Sequence, residues 1–436
     1  MSTITLTDPL YTEIAGKYPD IPPFILRKID IALRGLEGTA NAEKLALKEG
    51  YLFDSSDPQR PELKKYIVDG LLFRDGTGAG RPEFASESLP GSGPKYLRRP
   101  GALPYTVDAV DGRFYLFDGK ELVDEVFFAP TPDFYYKTTS RGTPMWKVAH
   151  SSPSACLTII PYGYCFFWND KRPCRYCDLV GGLIKGNEQG QSAETLEDIS
   201  ETVSEALREK GRWQIFRITA GSDPRGEGQY EYETREYLKV LGAIEHAFGS
   251  KDFNGRLVGS ALPKDHWIAL KNAGTAAVEP HIEVWDEELF KIICPGKTKY
   301  YGREWWMQNI YDSVEVYGRG NTCTQIVGGI ELAQPYGFKT IDEALESSLA
   351  GVEHFAQRGI TCSFNVLHVS RKSVFYKEGQ QPAPLEYYAR LVTGMRDIRR
   401  KYRIAVSFND YRRCGHPDTS FSRIDFPEVS EFPVVQ

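Results

Sequence analysis

From Cys156 onward the chain repeats one pattern six times: a short β-prone run, then a longer run with apolar residues at helical spacing. The strand-like runs are CLTII (156–160), WQIFRIT (213–219), RLVGSAL (256–262), AAVEPHIEVW (276–285), TCTQIVGGIE (322–331) and TCSFNVLHV (361–369). The intervening segments place Leu196, Ile199, Val203 and Leu207 on one helical face, then Tyr237, Leu241, Ile244 and Phe248, and later Tyr388, Leu391, Met395 and Ile398. Near-continuous apolar strands alternating with helices predict an α/β fold with a parallel sheet covered by helices. Closed up, this is a partial (β/α)6 TIM-type barrel whose site lies at the C-terminal ends of the strands. The expected division is an N-terminal α+β extension over 1–150, the barrel over 151–402, and a C-terminal helix and tail, with 403–436 closing the barrel.

The loop after the first of these strands carries three cysteines, Cys165-x8-Cys174-x2-Cys177, among Tyr164, Phe166, Phe167, Trp168 and Tyr176. Three thiols in thirteen residues point to a metal. One reading is structural zinc, with Cys174-x2-Cys177 as half a site, Cys165, and a fourth ligand from Cys156, Cys414 or His416. The other is a [4Fe–4S] cluster held by three cysteines, one iron being left open. Cys294, Cys323 and Cys362 read as small buried residues.

The rest of the chain narrows the setting. A net charge of −6 argues against a nucleic-acid backbone as main partner, and no apolar run reaches the length that spans a bilayer. Eight cysteines in 436 residues are too few for a disulfide scaffold. The opening MSTITLTDPLYTE lacks a signal-peptide pattern, so the expectation is reduced thiols in a cytoplasmic protein. Within 1–150, Asp20 reads as a helix N-cap, with Ile25, Ile29, Ala32, Leu33 and Leu36 following at helical spacing. Residues 74–104 read as Gly/Pro-rich loop, including Gly76-x-Gly78-x-Gly80, which lacks the strand-turn-helix frame of a phosphate cradle. TVDAV-DG-RFYLF-DGKE-LVDEVFF reads as a three-stranded meander turned at Asp111-Gly112 and Asp118-Gly119.

The cysteine loop resembles that of the radical S-adenosylmethionine (SAM) superfamily, whose members place three cysteines after the first strand of a six-unit partial barrel. Tyr176 matches the aromatic position before the last cysteine; the first interval, x8 rather than the commoner x3, departs from the pattern. Thr219-Ala-Gly221-Ser222-Asp223 stands where the family often has a Gly-Gly-Glu-like turn that holds the SAM amino group. Ile326-Val-Gly328-Gly-Ile-Glu331 matches the family's I-x-G-x-x-E, which packs near the adenine. The resemblance covers about residues 150–370.

It implies that Cys165, Cys174 and Cys177 hold a [4Fe–4S] cluster whose open iron chelates SAM. One electron then cleaves SAM to a 5′-deoxyadenosyl radical that abstracts hydrogen from a small-molecule biosynthetic substrate. Glu283 stands either to contact the SAM ribose or substrate, or as a charge at a strand terminus; His281 reads as packing or substrate contact. Cys414 and His416 read as a radical-quenching thiol and a proton donor, or as a solvated tail. Lys171, Arg172 and Arg175 either guide a flavodoxin or ferredoxin to the cluster or form a solvated face. Two rivals differ in class: a zinc-stabilised barrel with non-radical chemistry, and a non-catalytic Fe–S electron carrier.

Overall fold

The computed structural model describes residues 9–54, 65–67, 71–72, 78–80, 82–83, 96–152, 156–179 and 195–404. It is a mixed α/β fold. The six units yield six strands: β1 (Cys156–Ile159), β2 (Ile215–Thr219), β3 (Gly255–Gly259), β4 (Thr275–Pro280), β5 (Cys323–Gly328) and β6 (Thr361–Val366). The β1–β4 strands pair in parallel in chain order, as do β5 and β6. Two isolated parallel bridges, Val278 with Thr322 and Glu283 with Ile326, join the two groups. Ala149–Ser152 adds an antiparallel edge strand beside β1 that the apolar pattern did not announce.

The helices that follow the strands are α1 (Leu196–Ala206), α2 (Glu231–Phe248), α3 (Lys264–Asn272), α4 (Gly302–Tyr317), α5 (Ile341–Gln357) and α6 (Leu385–Tyr402). Local chemistry fixes their ends. Thr195 caps α1 and Thr340 caps α5, each in a capping box with the acidic residue three positions on, Asp198 and Glu343. Gly249 ends α2 in the left-handed conformation. Two short helices, Glu287–Ile293 and Pro295–Tyr300, sit between β4 and α4. Among the described residues no helix is long and apolar enough to cross a membrane.

One expectation is corrected inside the sheet. The strands read as near-continuous apolar runs, yet their side chains alternate in kind. Phe216, Ile218, Leu257, Val278, Ile326 and Phe364 face the helices and join the main core. The pairing register puts Thr158, Arg217, Arg256, Glu279, Gln325 and Ser363 on the opposite face.

The N-terminal region feeds two cores. Tyr11, Ile14, Ile25, Ile29 and Leu33 belong to the main core. Leu36, Ala42, Tyr105, Val107, Leu116 and Val126 form a second core under a four-stranded sheet, ordered Leu36–Gly38, Tyr105–Val110, Arg113–Asp118, Glu121–Val126. The meander is as expected, with positive φ at Asp111, Gly112 and Gly119. The helix after Asp20 begins instead at Pro23, because Pro22 and Pro23 supply its preset φ without a side-chain cap; Gly35 stops it, so Leu36 is a strand residue. Gly78–Gly80 forms a short strand antiparallel to Leu71–Leu72 rather than plain loop.

Candidate metal and cofactor site

The cysteine loop leaves the C-terminal end of β1 and is pinned on both sides. On the β2 side, Phe166 N–H donates to the Ser222 carbonyl at 2.9 Å, and Tyr162 Oη donates to the Gly221 carbonyl at 2.8 Å. Tyr164 Oη donates to Asp223 Oδ2 at 2.6 Å, and Arg225 Nη2 reaches the same oxygen at 2.6 Å. Gly221 allows this approach: a Cβ there would lie 2.4 Å from the Tyr164 carbonyl oxygen and 2.5 Å from Cys165 Cβ. The Thr219–Asp223 turn is therefore packed directly beneath Cys165, with the Asp223 carboxylate engaged by Tyr164 and Arg225.

Opposite, Arg175 N–H donates to the Ile293 carbonyl and Arg175 Nε to the Ile292 carbonyl, both at 2.9 Å. The Arg175 carbonyl accepts from Phe375 N–H at 2.9 Å. Gly296 admits the loop in the same way, since a Cβ there would meet the Phe167 ring at 2.4 Å and the Arg172 carbonyl oxygen at 2.7 Å.

These contacts hold the three thiols, all partly buried, within range of one another's charge. Burial pushes Cys165 up to about 12, and the neighbouring Cys174 adds to the rise. Burial, then Cys174, likewise raises Cys177. Cys174 moves down: a hydrogen bond with the Cys294 thiol, helped by the Lys297 charge, outweighs burial. Three clustered thiols, one of them shifted toward ionisation, are a donor set that a cationic cluster would convert to thiolates. Among the described residues no three His, Cys, Asp or Glu side chains converge on one point as a single ion would need. A cubane does not ask for that, because each thiolate binds a different iron. The set therefore fits a three-cysteine cluster. It does not fit the zinc reading through Cys156, which packs with Ile215 at the start of β1, the end of the strand away from the loop.

Beneath the loop lies a network that spacing did not reveal. Glu283, at φ 72°, bridges to β5: its N–H donates to the Gln325 carbonyl at 2.9 Å and its carbonyl accepts from Val327 N–H at 2.8 Å. Its carboxylate takes Lys297 Nζ at 3.1 Å and a hydrogen bond from Tyr176. Burial would raise Glu283; Lys297, His281 and these hydrogen bonds together pull it below its ordinary value. Lys297 is buried, donates also to the His281 carbonyl at 2.9 Å, and lies 4.1 Å from the Trp306 ring centre. Cys294 and Lys297 come from the segment before α4, more than a hundred residues from the loop, and only the fold brings them in.

The remaining candidates fall elsewhere. Thr219 ends β2 on the face away from the helices, and Ser222 Oγ accepts from Ser260 Oγ at 2.9 Å. Ile326 and Gly328 lie on the helix side, where the Gly328 carbonyl accepts from Tyr388 Oη at 2.8 Å. Glu331 accepts from Asp286 N–H at 3.4 Å and faces Ser347 and Ser348 in the middle of α5; it is buried, and burial pushes it up to about 7. Arg175 pairs with Glu378, while Lys171 and Arg172 point outward. Cys414 and His416 lie outside the described residues.

No protein-family model matches the chain. It is 25% identical over 149 residues to the bacteriochlorophyllide c C-7(1)-hydroxylase of Chlorobaculum limnaeum, a match that covers 34% of this chain and 28% of the hydroxylase. The chain thus spans well under a third of that curated relative. Among solved structures it is similar to methylornithine synthase, with 14% identity, a TM-score of 0.38, and coverage of 56% of this chain and 63% of that one. It is also similar to the radical S-adenosylmethionine methyltransferase TsrM from Kitasatospora setae, solved with cobalamin and a [4Fe–4S] cluster, with 13% identity, a TM-score of 0.34, and coverage of 56% and 43%.

Proposed function

We propose that this chain is a radical SAM enzyme acting on a small-molecule biosynthetic substrate. The supporting observation is the cysteine loop itself, leaving the C-terminal end of the first of six sequential parallel strands and seated on the Gly221 turn. In this reading the six units curve into a partial barrel over 151–402, with 1–150 as an extension and 403–436 as a closing tail. Cys165, Cys174 and Cys177 hold a [4Fe–4S] cluster, and SAM lies over the 219–223 turn. When bound, the cluster and SAM together supply reductive cleavage of the sulfonium and a 5′-deoxyadenosyl radical able to abstract hydrogen.

The chain's own residues do the rest. The Gly221 and Gly296 contacts fix the thiol positions. The Asp223 carboxylate is engaged by Tyr164 and Arg225, so the SAM amino group meets the backbone of the turn, through Ala220 or the second lone pairs of the Gly221 and Ser222 carbonyls. Tyr176, Glu283 and Lys297 form a buried ion-paired base under Cys174, holding charge beside the cluster and excluding water. Ile326, Gly328 and Glu331 shape the β5 end behind the adenine, acting through the backbone. Lys171 and Arg172, facing outward beside the loop, suit docking of an acidic flavodoxin or ferredoxin. Cys414 is the proposed hydrogen donor of the tail.

The test is anaerobic iron–sulfide reconstitution followed by electron paramagnetic resonance of the reduced protein with and without SAM. A [4Fe–4S] signal that shifts on adding SAM, with 5′-deoxyadenosine formed, is the expected result. An unperturbed cluster without cleavage leaves an electron carrier, and stoichiometric zinc without a cluster refutes the proposal.

A further inference from the structure

The face of the sheet opposite the helices is built for hydrogen bonding, and part of it is unpartnered. Along β1 to β4 the charged groups are paired in part. Arg217 Nε donates to Thr158 Oγ1 at 3.1 Å, and Arg256 pairs with Glu279, both fully buried. His281, continuing the alternation of β4, places Nε2 3.6 Å from Glu279 Oε2. On β5 and β6 the same face carries neutral polar groups. Gln325 pairs in register with Ser363, and Val327 with Asn365, so Gln325, Ser363 and Asn365 share that face. Gln325 is 1% exposed and Ser363 0%. Both Oε1 and Nε2 of Gln325, Oγ of Ser363, Oδ1 of Asn365 and Nε2 of His281 are buried without a hydrogen-bond partner among the described residues.

Each such group costs about 1–3 kcal/mol relative to a satisfied one, so a contiguous set on neighbouring strands calls for a partner beyond the described residues. Packed barrel interiors are filled by Val, Ile and Leu instead. The demand has a definite chemistry. Because both ends of the Gln325 carboxamide are free, it requires one donor and one acceptor side by side, whichever way the amide is turned. Asn365 Oδ1 requires a further donor, and Ser363 accepts or donates. A carboxylate or a phosphate brings acceptors only, and an apolar ring brings neither. An amide or lactam edge brings an N–H beside a C=O and can meet a carboxamide through two parallel hydrogen bonds.

We infer that Gln325, Ser363 and Asn365 form a subsite on the interior face of β5 and β6 that binds the amide or lactam edge of a small neutral molecule. Asn365 is the most accessible of the three and marks the side of entry. The inference deepens the proposed function and rests on it for what becomes of the bound molecule; binding itself does not require the cluster chemistry.

The experiment uses the reconstituted full-length chain without added SAM. Ligand-observed NMR measures binding of uracil, 2-pyrrolidone and nicotinamide, with acetate, myo-inositol and toluene as contrasts. The same titrations are run on Gln325→Leu and Ser363→Ala. Binding of at least one amide or lactam probe, weakened about tenfold or more in Gln325→Leu, supports the subsite, the loss of two hydrogen bonds being worth at least that. Gln325→Leu should also melt higher than the wild type when no probe is present, because an unsatisfied group has been removed. Preference for acetate, myo-inositol or toluene, absence of amide binding, equal binding by both variants, or a lower melting temperature for Gln325→Leu overturns it. If SAM displaces the amide probes and loses affinity in the same variants, the face belongs to the cofactor and the inference also fails. A failed EPR test with intact amide binding would remove the radical reading and leave the subsite standing.

Discussion

Gly221→Ala is the sharpest perturbation of the cysteine loop, because the added atom meets backbone instead of a flexible side chain. The new Cβ would sit 2.4 Å from the Tyr164 carbonyl oxygen, 2.5 Å from Cys165 Cβ and 2.6 Å from Cys165 Cα. Ordinary contact begins near 3.4 Å, so the turn and the loop must part by about 1 Å. Tyr162 and Phe166 resist that movement through their hydrogen bonds to the Gly221 and Ser222 carbonyls. Overpacking of this kind costs about 1–3 kcal/mol, which the fold survives. A metal site is less tolerant, since displacing one ligand by more than about 0.5 Å spoils its geometry. The variant should therefore keep its circular dichroism spectrum and unfold cooperatively, yet take up clearly less iron and sulfide per chain on anaerobic reconstitution. Gly242→Ala is the control: nothing lies within 4 Å of that Cβ, and alanine in the middle of α2 should stabilise by up to about 1 kcal/mol with full iron uptake. Wild-type iron content and melting temperature in Gly221→Ala would refute the argument that this turn positions Cys165.

Three further outcomes are expected. Lys297→Met leaves the Glu283 carboxylate buried without its cation and should cost about 3–5 kcal/mol in urea unfolding, whereas Lys297→Met/Glu283→Gln should recover much of it; additive losses would contradict the pairing. Glu331 ionises near 7 in the fold against 4.5 unfolded, so it withdraws stability as pH rises from 4.5 to 7, about 3 kcal/mol in all. Glu331→Gln should remove that part of the slope, and an unchanged difference between unfolding at pH 5 and pH 8 would show that the carboxylate is not held neutral. Gly296→Ala, which would press on the Phe167 ring and the Arg172 carbonyl, should lower iron uptake as Gly221→Ala does; normal uptake would show that only the β2 side locates the cysteines.

The helical half of the fold was legible because helix faces announce themselves: Ile199, Val203 and their counterparts recur at a spacing few other structures use, whereas Leu196, read on the same face, is exposed and the caps at Thr195 and Thr340 went unread. The cysteine loop was legible for the same reason, all three thiols being local in sequence. Cys294 and Lys297 were not. They reach Cys174 because Arg175 binds the Ile292 and Ile293 carbonyls, a contact between segments far apart in the chain that no spacing encodes. The strands were misread for a different reason. A run such as TCTQIVG counts as apolar when its residues are pooled, but a strand has two faces and pooling averages them. Taken at alternate positions, Arg217, Arg256, Glu279, Gln325, Ser363 and Asn365 would have shown a sheet face that is not a hydrocarbon core. A sheet whose helix-facing residues are Phe, Ile and Leu while the opposite face carries Arg, Glu, Gln and Asn stores the desolvation cost of those groups until something binds. That alternation separates a sheet face filled by its own side chains from one that takes a polar guest, and in this chain the unpartnered groups of that face gather on β5 and β6.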